Sequence, residues 1–169
     1  LLAAVILFSF HKNRNIRHII AFVLVFVLGF LVELAGVHTG LVFGSYHYGE
    51  TLGPKLMDTP LIIGVNWLML VYMVFAITQK MNMNFFTQVI AGAFMLLMYD
   101  LLLEPVAIQL DFWSWGGTGI PLQNYLAWIV ISAVFISIWR TMKVKIENSV
   151  ASGLFIIQLA FFLLLNITL

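Results

Sequence analysis

The sequence contains no cysteine and very little charge. Without cysteine it has no disulfide framework, no thiolate nucleophile and no cysteine-based metal site. Only 9% of its 169 residues are charged, against roughly a quarter in a soluble domain, and 63% are hydrophobic. The formal net charge of +1 comes without a basic tract, which argues against binding to nucleic acid. Together these features predict an integral membrane protein.

Five apolar segments are long enough to cross a bilayer core about 30 Å thick, which needs roughly 20 apolar residues per helix. They cover residues 18–37, 60–78, 85–108, 122–139 and 149–168. A sixth segment, residues 1–10, is shorter, and because the chain does not begin with Met we expect it to be the end of a truncated helix that starts upstream. The predicted fold is all-α: one integral membrane domain over residues 1–169, built as a polytopic helix bundle. The connections 11–17, 79–84 and 140–148 are short, which favours an up-and-down arrangement.

Basic residues collect on one side of the predicted bundle. Seven of the eight Lys and Arg residues lie in the three loops on that side: Lys12, Arg14, Arg17, Lys80, Arg140, Lys143 and Lys145. The positive-inside rule predicts that these loops are cytoplasmic. We expect the protein to lie in the cell (inner) membrane. The two longer loops, 38–59 and 109–121, are rich in Gly and aromatic residues and are predicted to face outward.

Acidic residues lie toward the outer side. Asp100 and Glu104 are one helical turn apart, on one face of an apolar segment. An acid at the centre of a membrane helix costs about 2.5–3.5 kcal/mol to insert, and such residues usually face the bundle interior and serve a function. Two carboxylates this close in a poorly hydrated site do not both ionise easily, which makes one of them a candidate general acid. Glu33, from another helix, is a third candidate. The simpler alternative is that these acids only reach the interface or hydrogen-bond a neighbouring helix.

The two outer loops supply aromatic and histidine side chains. They carry His38, Tyr46, His47, Tyr48, Trp113 and Trp115. Aromatic ring faces attract positive charge, so aromatic residues around a protonated acid suit a carbocation. Taken singly, the aromatic residues fit an ordinary interfacial belt, and the histidines fit hydrogen-bonding loop residues.

Two similar segments indicate an internal repeat. "PLIIGVNW" (60–67) and "PLQNYLAW" (121–128) each open a helix after an outer loop, with Trp seven residues after the Pro. Proline suits the first helical turn, where its missing N–H is not needed. Residues 18–78 and 85–139 would then be two copies of a helix–loop–helix unit, and a true repeat predicts a site between the units. The alternative is that so few matching residues are alike by chance.

These outer motifs resemble the carotenoid biosynthesis membrane protein family, which includes the carotenoid 1',2'-hydratases and bisanhydrobacterioruberin hydratase. The resemblance rests on "ELAGVHTGLVFGSYHYGETLGPKL", "PLIIGVNW", "DLLLEPVA", "WSWGG" and "PLQNYLAW", which run from residue 33 to residue 128. Ala127 departs from the family pattern, in which Gly precedes the last Trp.

The resemblance implies an enzyme, a hydro-lyase that hydrates the terminal C=C of an acyclic or monocyclic carotenoid by acid catalysis. The catalytic residues would be Asp100, Glu104 and Glu33. The substrate-binding residues would be Trp113, Trp115, Trp67, Trp128, Tyr46, His38 and Asn124. The reaction needs no cofactor and no metal. Its partners would be the carotenoid and membrane lipid, while a homo-oligomer and contacts with other carotenoid-biosynthesis enzymes stay open.

Other functions also stay open. A carotenoid end-group cyclase or isomerase would use the same protonation step but exclude water. A proton-coupled transporter would use intramembrane acids as a relay, but the cytoplasmic half of this chain carries almost no polar group inside the membrane. A non-catalytic lipid carrier or partner in a pigment-synthesis complex would not need Asp100 and Glu104 for product formation.

Overall fold

The computed structural model describes residues 1–12 and 15–169. Within these ranges the helices are α1 Leu2–Ser9, α2 Ile16–Thr39, α3 Ile62–Thr78, α4 Phe85–Gln109, α5 Leu122–Thr141 and α6 Ala151–Thr168. Helix α3 continues into a 3-10 turn at Gln79–Met81. The two long loops contain the short strands β1 Tyr46–Tyr48, β2 Lys55–Leu56, β3 Thr59–Pro60 and β4 Trp113–Trp115.

Helices α2 to α6 are each long and apolar enough to cross a membrane, which confirms the five predicted spans and a multi-pass membrane protein. The structure confirms the predicted start of α5, whereas α3 starts later than predicted. Pro121 directly precedes α5, as predicted, whereas α3 begins only at Ile62. The reason is that Pro60 pairs with Lys55 in the β2–β3 hairpin, so its extended backbone delays the helix.

Helix α3 forms the centre of the bundle. Its side chains from Leu68 to Ala76 are all buried, and it packs against α1, α2, α4, α5 and α6. Helix α6 leaves most of its apolar side chains exposed on the outside of the bundle, where a membrane protein meets lipid.

Glycines let α2 approach α3 closely. A Cβ atom on Gly29 would lie 2.7 Å from the Cβ of Trp67. One on Gly64 would lie 2.8 Å from the carbonyl oxygen of Phe26. Small residues at such contacts allow the backbones of membrane helices to pack tightly, and this contact holds Trp67 against α2.

The three basic loops meet at one end of the bundle. The backbone N–H of Lys12 donates to the carbonyl of Glu147 at 3.3 Å, and the backbone N–H of Ile146 donates to the side-chain oxygen of Gln79 at 3.0 Å. Arg14, which contributed to the charge pattern, lies outside the described residues. That this end faces the cytoplasm stays a prediction.

At the opposite end, β1 pairs antiparallel with β4 and joins the two long loops. Tyr46 lies opposite Trp115, and Tyr48 lies opposite Trp113. The element orders α2–β1–α3 and α4–β4–α5 are the same, as the predicted repeat requires, and the first unit additionally contains the β2–β3 hairpin. That the two units are copies of one another stays a prediction. The strands themselves were not predicted, because each has only two or three residues, and an alternation that short does not stand out in a Gly-rich aromatic loop.

Candidate active site

A narrow cavity lies where the two units meet, next to the paired strands β1 and β4. Its volume is about 30 Å³, which is room for about one or two water molecules. Nine of the ten residues that the sequence suggested for the site line it: Glu33, Tyr46, Trp67, Asp100, Glu104, Trp113, Trp115, Asn124 and Trp128. Their proposed roles are argued below.

Glu33, on the outer part of α2, is surrounded by hydrogen-bond donors. Its Oε2 atom accepts from the hydroxyl groups of Tyr46 and Tyr48, both at 2.7 Å. Its Oε1 atom accepts from the indole N–H of Trp67 at 2.9 Å. The residue is only 7% exposed, so the three bonds replace the water that the carboxyl group has lost.

The two tyrosines can keep this donor role over a wide pH range. Burial raises the pKa of Tyr48 well above its ordinary value, and the neighbouring Glu33 carboxylate raises it further. The pKa of Tyr46 is raised by the same two causes. Both hydroxyl groups therefore stay protonated and directed at Glu33.

Glu104, on α4, is held in the same way. Its Oε2 atom accepts from the indole N–H groups of Trp113 at 3.1 Å and Trp115 at 3.0 Å. Its Oε1 atom accepts from the side-chain amide of Asn124 at 3.1 Å. Each glutamate thus receives two donors from its own strand and one from the helix that follows that strand.

Asp100 lies one turn before Glu104 and is bound differently. Its side chain is fully buried, and Oδ2 accepts from the Asn124 amide at 2.9 Å. The same nitrogen bonds Glu104, so Asn124 ties the two carboxyl groups together. No described residue gives Oδ1 of Asp100 a hydrogen bond. Such a buried, unpartnered oxygen is unusual enough to require an explanation.

The two histidines of the outer loops, of which His38 was predicted to bind substrate, lie away from the cavity. His38 is exposed, and its Nε2 atom lies 3.1 Å from the carbonyl oxygen of Met57. His47 is exposed and hydrogen-bonds Ser114 across the strand pair at 2.8 Å. The structure does not bring His38 to the carboxyl groups, because the last turn of α2 points it toward the β2–β3 hairpin.

Five residues that line the cavity were absent from the predicted set. They are Phe43, Tyr48, Ile63, Asn66 and Leu103. Tyr48 could have been found, because residues two apart in a strand share a face, and Tyr46 and Tyr48 match Trp113 and Trp115 in this spacing. Asn66 could also have been noticed, because a side-chain amide inside an apolar membrane helix is costly and often functional.

The site has a mixed acidic and aromatic character. The rings of Trp67 and Trp128 stack with centroids 4.3 Å apart, and Tyr46 packs on Trp115 at 5.3 Å. Among the residues that the structure describes, no group of three or more His, Asp or Glu side chains is arranged to hold a metal ion. The arrangement can deliver a proton, and it can hold positive charge between carboxylates and ring faces.

A family model described as carotenoid biosynthesis protein matches residues 1–169. The chain belongs to this family. The match to the family covers the cavity and both repeat units, and it confirms the resemblance seen in the motifs.

One curated relative is similar to part of the chain. It is the bisanhydrobacterioruberin hydratase of Haloarcula japonica, 30% identical over 111 residues, which are 61% of this chain. The matched region covers 38% of the relative, so this chain corresponds to well under half of that protein. No solved structure matches the chain.

Proposed function

We propose that the protein hydrates the terminal C=C of an acyclic or monocyclic carotenoid by acid catalysis. The observation that carries the proposal is the meeting of three carboxyl groups from two repeat units in one aromatic-lined cavity. Membership of the carotenoid biosynthesis family supports a carotenoid as the substrate. The similarity to the hydratase of Haloarcula japonica supports hydration as the reaction class.

The chemistry needs a proton donor and water. A carboxylic acid adds a proton to the CH carbon of the dimethyl-substituted alkene, so the π bond breaks and a tertiary cation forms. Water then forms a C–O bond to the cationic carbon, and the resulting oxonium group returns a proton to a carboxylate. The product is a tertiary alcohol, and the protein ends in its starting state.

The residues of the cavity suit these steps. Asp100, Glu104 and Glu33 are the proposed donor and the charges that stabilise the cation. The faces of the stacked indoles Trp67 and Trp128 offer further stabilisation. Tyr46, Trp113, Trp115 and Asn124 orient the carboxyl groups through hydrogen bonds.

Binding of the carotenoid end group requires the cavity to widen, since its present volume of about 30 Å³ suits water rather than a dimethyl alkene. Trp113 and Trp115 are only half-buried, and they belong to a three-residue strand rather than to a helix. We propose that this wall moves to admit the end group while the polyene lies along the apolar helices. The site would then lie in the outer leaflet, and lipid and carotenoid would be its partners.

The test is to produce the full-length protein in bacteria that accumulate acyclic or monocyclic carotenoids, and to compare the pigments by chromatography and mass spectrometry. Hydration gives a product heavier by one water. A cyclase or isomerase would give a product of unchanged mass. If a well-expressed protein changes no pigment, both enzymatic proposals fail and a carrier or partner role takes their place.

A further inference from the structure

The hydrogen bonds divide the three carboxyl groups into two kinds, and the inference drawn from this division rests on the proposed function. Glu33 and Glu104 each accept three hydrogen bonds, with both oxygens occupied. Asp100 accepts one, on Oδ2, and Oδ1 has no partner among the described residues.

The donors around Glu104 indicate whether its carboxyl group is ionised or protonated. The indole N–H groups of Trp113 and Trp115 can only donate hydrogen bonds. If Oε2 of Glu104 carried a proton, neither indole could accept a hydrogen bond from it. With the Asn124 amide on Oε1, the whole shell matches an ionised carboxylate, which only accepts. Glu33 also accepts three hydrogen bonds, two from the Tyr46 and Tyr48 hydroxyl groups and one from the Trp67 indole, of which only the indole is restricted to donating.

The comparison of the two units isolates Asp100. Glu33 and Glu104 are equivalent in the repeat, since each receives two donors from its strand and one from the next helix. Four residues before Glu104 stands Asp100, but four residues before Glu33 stands Gly29, where a Cβ would already collide with Trp67. The repeat therefore supplies two matched carboxylates and a single additional acid.

We infer that Asp100 is the proton donor, acting through Oδ1, and that Glu33 and Glu104 are fixed carboxylates that stabilise the cation. The proton on Oδ1 moves to the CH carbon of the alkene. After water has attacked the cationic carbon, the Asp100 carboxylate takes back a proton from the oxonium group. Glu33 and Glu104 keep their charge throughout, and Asn124 is a positioning residue that orients Oδ1 through its bond to Oδ2.

The experiment separates proton transfer from cation binding. Asp100→Asn, Glu104→Gln and Glu33→Gln are compared for hydration of a carotenoid and for binding of a cation mimic, an isoprenoid chain that ends in a trimethylammonium group. A chain that ends in a neutral tert-butyl group is the control ligand. Asp111→Asn and Glu50→Gln, two exposed carboxylates of the outer loops, are the control variants.

Asp100→Asn is expected to lower the hydration rate by at least about a hundredfold and to bind the mimic as the wild type does. Glu104→Gln and Glu33→Gln are expected to weaken binding of the mimic by at least roughly tenfold and to leave binding of the neutral chain unchanged. Asp100→Glu, which keeps an acid at this position, is expected to recover part of the rate.

The assignment is overturned if the wild type hydrates the carotenoid and Asp100→Asn does so nearly as fast. It is also overturned if Asp100→Asn loses the mimic as strongly as Glu104→Gln does. If the wild type hydrates no carotenoid, the proposed function is refuted instead. Binding of the cation mimic then still tests whether Glu33 and Glu104 are the charges that stabilise a cation. If Asp100→Asn does not fold, infrared spectroscopy of the wild type with isotope-labelled aspartate decides: a label-shifted band of a protonated carboxyl group supports the assignment, and its absence contradicts it.

Discussion

The indole rings of Trp67 and Trp128 stack across the boundary between the two repeat units, with centroids 4.3 Å apart and planes 26° from parallel. They are equivalent residues, each seven positions after the proline of its unit. Only Trp67 also donates a hydrogen bond to Glu33, at 2.9 Å. One contact therefore joins the two halves of the bundle and reaches a carboxyl group of the proposed site.

Replacing these tryptophans by phenylalanine should have unequal effects. Trp128→Phe keeps an aromatic ring in the stack, whereas Trp67→Phe also leaves Oε1 of Glu33 buried without its donor. Hydrogen bonds to charged groups contribute about 1.5–3 kcal/mol, so Trp67→Phe should lower the free energy of unfolding by about 1 kcal/mol or more beyond Trp128→Phe. Denaturant unfolding in detergent measures both. Equal losses would show that the bond to Glu33 does not contribute to stability.

The close contact between α2 and α3 should not tolerate a methyl group at Gly29. A Cβ there would lie 2.7 Å from the Cβ of Trp67, so Gly29→Ala must push the two helices apart and draw Trp67 from Glu33. We expect a destabilisation of about 1–3 kcal/mol, typical of overpacking, together with a loss of hydration.

Gly153→Ala is the matched control for this change. A Cβ on Gly153, in α6, would meet no atom within 4 Å. Because alanine favours the helix over glycine by up to about 1 kcal/mol, this variant should be as stable as the wild type or more so. Thermal unfolding in the same detergent compares the two, and a Gly29→Ala protein as stable as Gly153→Ala would contradict the packing described for α2 and α3.

The two faces of the β1–β4 pair should differ in importance. His47 and Ser114 bond each other on the exposed face, so Ser114→Ala should change the hydration rate by no more than about twofold, as expected for a surface substitution. Trp115→Phe removes a donor to buried Glu104 and should lower the rate by roughly tenfold. Pigment yields at matched protein levels measure both. A larger effect from Ser114→Ala would mean that the exposed face, not the cavity, carries the chemistry.

Membrane orientation can be tested because the chain contains no cysteine. Gly117→Cys, in the open loop after β4, should react with a membrane-impermeant maleimide added to intact cells. Lys143→Cys, in the basic loop after α5, should react only after the membrane is broken. The reverse labelling pattern would move the proposed site to the cytoplasmic leaflet.

The helices could be predicted from the sequence because membrane insertion depends mainly on apolar length. Each predicted segment begins and ends within two residues of its helix, and the late start of α3 follows from the pairing of Pro60 with Lys55. That pairing is a tertiary contact, which hydropathy does not record.

The acids of the site were also visible in the sequence, because intramembrane carboxyl groups are costly and few. Their hydrogen bonds were not, since the bond from Asn124 to Asp100 joins different helices. His38 is the opposite case: a polar loop residue attracts attention in the sequence, but its position depends on how the helix ends. The pairing of Tyr46 with Trp115 shows why the strands matter, because it places both donor pairs over one cavity.

The most direct test is to give the purified protein, in lipid nanodiscs, an acyclic carotenoid in heavy-oxygen water and to measure the product by mass spectrometry. Hydration predicts a tertiary alcohol that contains one heavy oxygen atom, formed by the wild type and by Asp111→Asn but not by Asp100→Asn. A product that is an isomer without added oxygen, or unchanged carotenoid in the presence of folded protein, would contradict the proposal that this cavity adds water to a carotenoid.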